Sequence, residues 1–118
     1  MSLALFKQAL EGTDEVEITV TGRSSGRKIT NPVWFVREGD ELYLLPVRGS
    51  DADWYRNVLK TPAIWLSADG SEFSATAKPI TDPVKVHEVV EMFQDKYGAS
   101  EIKKYYTKLD VAVAVPLP

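Results

Sequence analysis

The first half of the chain contains three stretches in which apolar and polar residues follow a strand pattern. Residues 15–21 have apolar side chains at every second position, and residues 29–37 are rich in β-branched and aromatic side chains. The turn Glu38-Gly39-Asp40 leads from the second stretch into a third, residues 42–47, so these two predict a hairpin. Three consecutive β-strands are therefore expected.

One residue restricts where the second of these strands can lie. Pro32 has no backbone N–H and cannot complete the hydrogen-bond ladder of a central strand. We therefore expect this strand to lie at the edge of a sheet or to carry a bulge near Asn31.

Four stretches instead repeat apolar residues with the helical period. They cover residues 2–10, residues 54–60, residues 83–97 and a segment after Gly98. Residues with capping side chains stand at their starts, namely Ser2, Asp51 or Asp53, Asp82 and Ser100. The third stretch has the longest apolar stripe, formed by Val86, Val89, Val90, Phe93 and Tyr97.

Three further strands complete the pattern. Residues 63–68 and 72–80 flank Asp69-Gly70, a dipeptide typical of a tight hairpin turn, and residues 111–115 alternate again. Hairpin connections without β-α-β alternation exclude a parallel sheet and favour a mainly β (α+β) fold, a small antiparallel barrel. No repeat, low-complexity tract or linker interrupts the chain, so residues 1–118 are expected to form one domain.

Composition narrows the possible chemistry. The chain has 118 residues, no cysteine and one histidine, His87, which excludes disulfides, thiolate nucleophiles and metal sites that need two imidazoles. No metal is expected. His87 falls on the flank of an apolar stripe, where a surface position is expected. No apolar run reaches the length of a membrane span and no secretion signal is evident, so we expect a cytoplasmic protein.

The charges are unevenly distributed. The formal net charge is -3, which argues against broad nucleic-acid binding. No acidic residue lies between Glu17 and Glu38, however, and that interval holds four cations, Arg23, Arg27, Lys28 and Arg37. The turn TGRSSGR, residues 21–27, combines glycines, hydroxyls and guanidiniums, the groups that bind a phosphate. A hairpin turn also uses glycine and serine for conformational reasons alone, and both interpretations stay open.

A second glycine-containing loop leads from a strand into a helix at residues 48–57. Helix starts attract anions, and Trp54 with Tyr55 offers either a flat face for an aromatic ring or part of the core. Asp51 and Asp53 are better explained as helix caps than as a catalytic pair. Near the C-terminus, Tyr97, Tyr105 and Tyr106 form a cluster that either packs or lines a pocket. Only Tyr97 is kept as a candidate catalytic side chain.

Without a protein nucleophile or a persuasive acid–base pair, catalysis would need a bound cofactor, with the polypeptide supplying orientation and electrostatics. A phosphate for the basic turn and a planar ring for the aromatic wall would suit hydride transfer.

The spaced elements TGRSSGR, Asn31-Pro32, Arg48-Gly49 and Trp54-Tyr55 with Asn57 resemble the deazaflavin-dependent nitroreductase family of the flavin-binding split-barrel superfamily. The resemblance implies a six-stranded antiparallel split β-barrel with peripheral helices, which binds reduced coenzyme F₄₂₀ in a groove between the two loops. It also assigns a cofactor-binding set: Arg23, Ser24, Ser25 and Gly26 at the phosphate, Arg27 or Lys28 beside the acidic tail, Asn31 and Pro32 flanking the ring, and Arg48, Gly49, Trp54 and Asn57 along the second loop and its helix.

The leading hypothesis is an oxidoreductase in which reduced F₄₂₀ delivers hydride to a small electrophilic acceptor, such as a quinone, a nitroaromatic or an activated alkene. FMN is the alternative cofactor. A non-catalytic barrel that binds single-stranded nucleic acid through Trp34, Trp54 and the basic turn is the alternative from another class. A homodimer is possible, since the terminal strand can pair within the barrel or with another subunit.

Overall fold

The computed structural model describes residues 3–118, and the predicted cap Ser2 lies outside them. The elements follow the predicted order. The helices are α1 (Leu3–Glu11), α2 (Asp53–Lys60), α3 (Pro83–Tyr97) and α4 (Ala99–Tyr105), with a 3₁₀ turn at Gly49–Asp51. The strands are β1 (Glu15–Thr21), β2 (Lys28–Glu38), β3 (Glu41–Leu44), β4 (Ala63–Ala68), β5 (Ser71–Thr76), β6 (Lys78–Ile80) and β7 (Ala112–Pro116).

The strands of the described residues form one antiparallel sheet in the order β5-β4-β1-β2-β3-β7-β6. Its two outermost strands, β5 and β6, are separated along the chain only by Ala77, so the sheet must curl until its ends meet. The mainly β split-barrel class is thereby confirmed. The sheet has seven strands instead of six, because the predicted strand over residues 72–80 divides at Ala77, whose N–H donates to the carbonyl of Pro62 at 2.9 Å.

Strand β2 changes its neighbour halfway along its length. Residues 28–34 pair with β1, whereas residues 35–38 pair with β3. Pro32 stands opposite Glu17 in an unbroken register, so the predicted bulge near Asn31 is absent and β2 is not an edge strand. Pro32 is tolerated because the side of β2 that faces away from β1 has no strand neighbour over residues 28–34.

Two groups of buried side chains hold the fold together. The first fills the barrel, where the alternating residues Val16, Ile18 and Val20 of β1 meet Phe6 of α1 and side chains from the other strands. The second lies outside the barrel, where the apolar stripe of α3 packs with Ile102 of α4 on one face of β3 and β7. Strand β7 pairs with β3 and β6, so the C-terminal strand is used inside the barrel.

The helix caps follow the sequence at one position and depart from it at two. The Asp82 carboxylate accepts a hydrogen bond from the Lys85 N–H at 3.3 Å, as predicted for α3. Helix α2 is capped by Ala52, not by Asp51 or Asp53, because both carboxylates are engaged with basic side chains. Helix α4 is capped by Gly98 and not by Ser100.

His87 lies on the surface of α3, as the sequence predicts. The His87 side chain is 75% exposed and lies 3.1 Å from Glu91, which confirms its surface position. Within residues 3–118 no helix combines the length and the apolar character needed to cross a membrane.

Candidate functional site

A cavity of about 680 Å³ opens where β2 leaves β1 for β3. The unpaired side of β2 forms one wall, with Asn31, Pro32 and Trp34 among its lining residues. The loop after β3 and helix α2 form the facing wall, to which Arg48, Trp54 and Asn57 belong. Tyr105 and Tyr106, at the end of α4, complete the lining on a third side. The change of strand partner therefore creates the space.

Five residues of the set assigned from the sequence line this one cavity, namely Asn31, Pro32, Arg48, Trp54 and Asn57. They come from two segments that the chain separates but the curled sheet brings together. The exposed faces of the two segments are mostly apolar, which suits a flat ring between them.

Arg23 borders the cavity through two of its lining residues. Its backbone N–H and its Nη1 both donate to Oδ1 of Asn57, at 3.0 and 2.9 Å. Its Nη1 and Nη2 also approach the backbone oxygen and the carboxylate of Asp53, at 3.3 and 3.4 Å. Arg23 and Arg48 are therefore on the rim and wall of the same cavity.

The rest of the basic turn does not line the cavity. Gly22 donates its N–H to the carbonyl of Arg27 at 2.7 Å, and Gly26 adopts a positive φ of 72° to close the turn. Ser25 accepts a hydrogen bond from the Arg27 N–H at 3.1 Å, and Ser24 is exposed beside it. These contacts support the interpretation in which the glycines and serines of the turn serve its backbone conformation.

Lys28 points along the outside of the barrel. Its ammonium donates to the Thr21 hydroxyl at 3.1 Å and lies 4.3 Å from the ring centre of Trp65. Arg27, the other residue assigned to an acidic tail, is exposed in the turn.

Asn57 is the polar residue buried most deeply around the cavity, with 3% of its surface exposed. The two hydrogen bonds from Arg23 fix which end of the amide is the oxygen, because only that end can accept. The amide nitrogen consequently faces the other way and has no hydrogen-bond partner among residues 3–118. Since Asn57 lines the cavity, its NH₂ group is a donor available to a ligand.

Arg48 is exposed on the cavity wall, and its guanidinium has no ion pair or hydrogen bond within the described part of the chain. Its neighbour Gly49 does not line the cavity. Gly49 has a φ of 56°, and a Cβ there would overlap the Asp110 carboxylate and stand 2.8 Å from the carbonyl of Lys108. Ser50 then anchors the loop through its N–H and hydroxyl, which donate to Asp110 at 2.9 and 2.5 Å. Gly49 positions Arg48 by letting the loop dock closely.

The aromatic side of the cavity is held by stacked rings. Trp34 lies parallel to Tyr97, with ring centres 4.3 Å apart and planes inclined by 6°, and Tyr105 meets the edge of Trp34 at 5.7 Å. Tyr106 is 7% exposed, and burial raises the pKa of its hydroxyl. Tyr55, in contrast, packs in the barrel core and takes no part in the lining.

Tyr97 stands behind this wall and is not part of the lining. Its hydroxyl accepts from the Phe35 N–H at 3.1 Å and lies 2.7 Å from the carbonyls of both Phe35 and Asp14. Burial raises the pKa of Tyr97 to about 12. These bonds fasten α3 to β2 at the residue where β2 takes up β3 as its new neighbour.

Some lining residues were outside the set assigned from the sequence. The sequence predicts a ligand contact for Trp34 only in the nucleic-acid alternative. It predicts that the cluster of Tyr97, Tyr105 and Tyr106 either packs or lines a pocket, and Tyr105 and Tyr106 do line the cavity. Glu15, at the start of β1, carries no signal in the sequence that could have placed it at a site. The register places Glu15 opposite Trp34, and this pairing brings it to the cavity.

The comparisons with known proteins agree with this architecture. Residues 7–115 match a family described as "Uncharacterized protein conserved in bacteria (DUF2255)", and the chain belongs to that family. An F₄₂₀-H₂ dependent reductase (FDR-A) has a similar structure, with a TM-score of 0.67 and 21% identity over 86% of this chain and 93% of that one.

Two other solved structures show the same fold. A protein described as a candidate pyridoxamine 5′-phosphate oxidase from Listeria innocua matches with a TM-score of 0.70 and 14% identity over 96% of this chain and 90% of that one. HutZ, a haem storage protein from Vibrio cholerae, matches with a TM-score of 0.72 and 15% identity over 100% and 91%. Because all three identities are low, these likenesses establish the shared fold and leave the ligand to be argued from the site.

Proposed function

We propose that this protein is an oxidoreductase that uses reduced coenzyme F₄₂₀ to reduce a small electrophilic acceptor, such as a quinone, a nitroaromatic or an activated alkene. The observation that carries the proposal is the cavity itself, which places Arg48, Asn57 and Trp54 opposite Asn31 and Pro32. The likeness to an F₄₂₀-H₂ dependent reductase supports the choice of cofactor.

The residues present fit a phosphorylated, flat heterocycle. The Asn57 amide and the Arg48 guanidinium are donors without partners in the described chain, and phosphate oxygens accept from both kinds of group. A cavity of about 680 Å³ with aromatic and proline side chains has the size and surface that a cofactor ring requires.

We assign each side chain one task. Arg23, Arg48 and Asn57 hold the phosphate, with Ser24, Ser25 and Gly26 shaping the turn that carries Arg23. Asn31 and Pro32 flank the ring, and Arg27 lies toward an acidic tail. A reduced deazaflavin bound there would supply the hydride.

The polypeptide contributes by positioning and by excluding water. Trp34, Trp54, Tyr105 and Tyr106 would hold the acceptor against the ring, and such orientation alone accounts for a large part of a rate enhancement. No covalent protein intermediate is required. Hydrogen bonds from the lining would stabilise the negative charge that develops on the acceptor.

The test measures cofactor binding directly. Purified protein is analysed by mass spectrometry and visible absorption for any ligand carried through purification, and is then titrated with F₄₂₀ and, separately, with FMN. We expect Arg48→Ala to weaken F₄₂₀ binding by about tenfold, because a charged hydrogen bond to phosphate is removed, while the melting temperature stays unchanged.

Arg37→Ala provides the matched control, since Arg37 bonds to the carbonyl of Gly39 at 3.0 Å and lies outside the cavity lining. Equal affinities of the wild-type protein and the Arg48→Ala variant would contradict the proposed phosphate site. Failure of both cofactors to bind would contradict the proposed function.

FMN is the second candidate cofactor, because the fold is also that of a candidate pyridoxamine 5′-phosphate oxidase and the same donors suit its phosphate. Single-stranded nucleic acid is less well supported. Trp54 is only 9% exposed and one face of Trp34 is covered by Tyr97, so these rings form walls of a cavity and do not offer an open surface on which successive bases could stack.

A homodimer remains a prediction. Strand β7 is already paired on both sides within the chain, so a second copy would have to use another surface or replace one of these pairings. Light scattering at several protein concentrations measures the mass in solution.

A further inference from the structure

We propose that Asp53 selects the cofactor by the charge of its phosphate, favouring a singly charged phosphodiester over a doubly charged phosphate monoester. The inference rests on the proposed function, since it concerns the same cavity. The donors that bind the phosphate do not by themselves distinguish F₄₂₀ from FMN.

Asp53 places a carboxylate beside the cation that the phosphate would use. It is the first residue of α2, it lines the cavity, and its Oδ1 lies 3.4 Å from Nη2 of Arg23. Its side chain is 80% exposed. The carboxylate is therefore a negative charge at the cavity mouth, and an incoming phosphate must share Arg23 with it.

The remaining charges of the lining do not compensate for it. Arg48 is the cation among the lining residues, whereas Glu15 and Asp53 both contribute carboxylates. When Arg23 is added to the described lining residues, the two cations, Arg23 and Arg48, equal the two carboxylates, Glu15 and Asp53, in number. A site of this kind accepts one negative charge more readily than two, because the repulsion from each carboxylate grows in proportion to the ligand's charge.

The two candidate cofactors differ in this property. The phosphate of FMN is a monoester, which carries a charge of about −1.5 to −2 at neutral pH. The phosphate of F₄₂₀ is a diester and carries one negative charge, and its further carboxylates lie along a tail beyond the phosphate. Asp53 thus opposes FMN more strongly than F₄₂₀.

The experiment compares FMN with riboflavin, which differ only in the phosphate, and measures F₄₂₀ beside them. Dissociation constants for FMN, riboflavin and F₄₂₀ are measured at low ionic strength for the wild type and for Asp53→Asn, which keeps the shape of the side chain and removes its charge. We expect Asp53→Asn to tighten FMN binding roughly fivefold, to tighten F₄₂₀ binding about twofold and to leave riboflavin unchanged. Raising the salt concentration should reduce the gain for FMN.

Asp51→Asn is the matched control. Asp51 lies two positions earlier and is paired with Arg56 and Lys108, each at 3.2 Å, outside the cavity lining. Its substitution should leave the ratio of FMN to riboflavin affinity at the wild-type value.

Each outcome decides the matter. An unchanged ratio of FMN to riboflavin affinity in Asp53→Asn, or the same change in Asp51→Asn, overturns the inference while the proposed function stands. An equal gain for FMN and F₄₂₀ overturns it as well, since Asp53 would then not distinguish a monoester from a diester. An equal gain for riboflavin and FMN also overturns it, since that gain would not depend on phosphate. If none of the three ligands binds to the wild type, the proposed function fails and this inference fails with it.

Discussion

Tyr97 has a hydroxyl that could donate a proton to a substrate, but its contacts give it a structural role. Its hydroxyl bonds to the backbone of Asp14 and Phe35, and burial raises its pKa to about 12, still further above neutral pH than the ordinary value. Its ring supports Trp34, which does line the cavity. At the scale of single residues, Tyr97 acts on the site through Trp34.

We expect Tyr97→Phe to destabilise the protein by about 1–3 kcal/mol, because the buried N–H of Phe35 loses a partner. Urea unfolding measures this loss. The variant keeps the ring that stacks on Trp34, so its F₄₂₀-dependent turnover should stay within about twofold of the wild type. Loss of turnover at unchanged stability, with a changed pH profile, would instead make Tyr97 a proton donor.

The role of Asn57 could not be predicted from residue patterns. Its position was assigned by resemblance, but its role depends on Arg23, which lies 34 positions earlier in the chain. Hydropathy predicts that both residues belong to a loop or a polar helix face. It carries no information on which distant donor fixes the orientation of an amide, and that orientation decides whether the NH₂ group reaches the cavity.

At the scale of elements, the loop between β3 and α2 determines where Arg48 stands. Gly49 has a positive φ and almost no room for a side chain, since Asp110 and the carbonyl of Lys108 occupy the space. Ser50 adds two hydrogen bonds to Asp110. The loop is thereby fastened to the segment that precedes β7.

Replacing Gly49 tests this docking. Gly49→Ala should lower the free energy of unfolding by about 2–4 kcal/mol, from backbone strain together with the steric overlap. Gly39→Ala is the matched control, because Gly39 also has a positive φ, 60°, but open space around its Cβ position. It should cost only the strain, about 1–2 kcal/mol. Equal losses in chemical denaturation would show that the loop is not closely docked.

The elements themselves were predictable to the extent that local rules govern them. The apolar stripe and the Asp82 cap of α3 are local features, and both are confirmed. The caps assigned to Asp51 and Asp53 are wrong because those carboxylates pair with Lys108 and Arg23, which lie far away in the sequence. The division of the strand over residues 72–80 depends on barrel closure, which no short window of sequence contains.

At the scale of the whole molecule, acid should weaken the contact between the two halves of the chain. Burial of Asp110 opposes ionisation, but the hydrogen bonds from Ser50 prevail and lower its pKa; a hydrogen bond and the charge of Lys108 lower the pKa of Asp51. A lowered pKa in the folded state means that this stabilisation is present above the ordinary carboxyl pKa of about 4 and is lost as the pH falls further.

We therefore expect the free energy of unfolding to fall as the pH drops below about 4, and to fall less steeply in Asp110→Asn, which has no carboxyl group at that position to protonate. Urea unfolding at several pH values measures both slopes. Asp95→Asn, on the exposed surface of α3, is the control and should follow the wild type. Parallel slopes for the wild type and Asp110→Asn would contradict the assignment.

The fold class followed from the sequence because alternation and hairpin turns specify antiparallel strands whatever their final order. The cavity did not, because it exists only where β2 exchanges one neighbour for another, and both neighbours must be known to see the gap. Residues that point to a phosphate could be named in advance. The space between them could not.

The unpaired side of β2 has a consequence for the protein's solubility. Backbone amides and carbonyls along residues 28–34 that face away from β1 have no strand partner, and unpaired strand edges promote aggregation. A ligand seated against that strand would shield them. Occupancy of the cavity should therefore protect the molecule against self-association during synthesis and heating, in addition to enabling any chemistry.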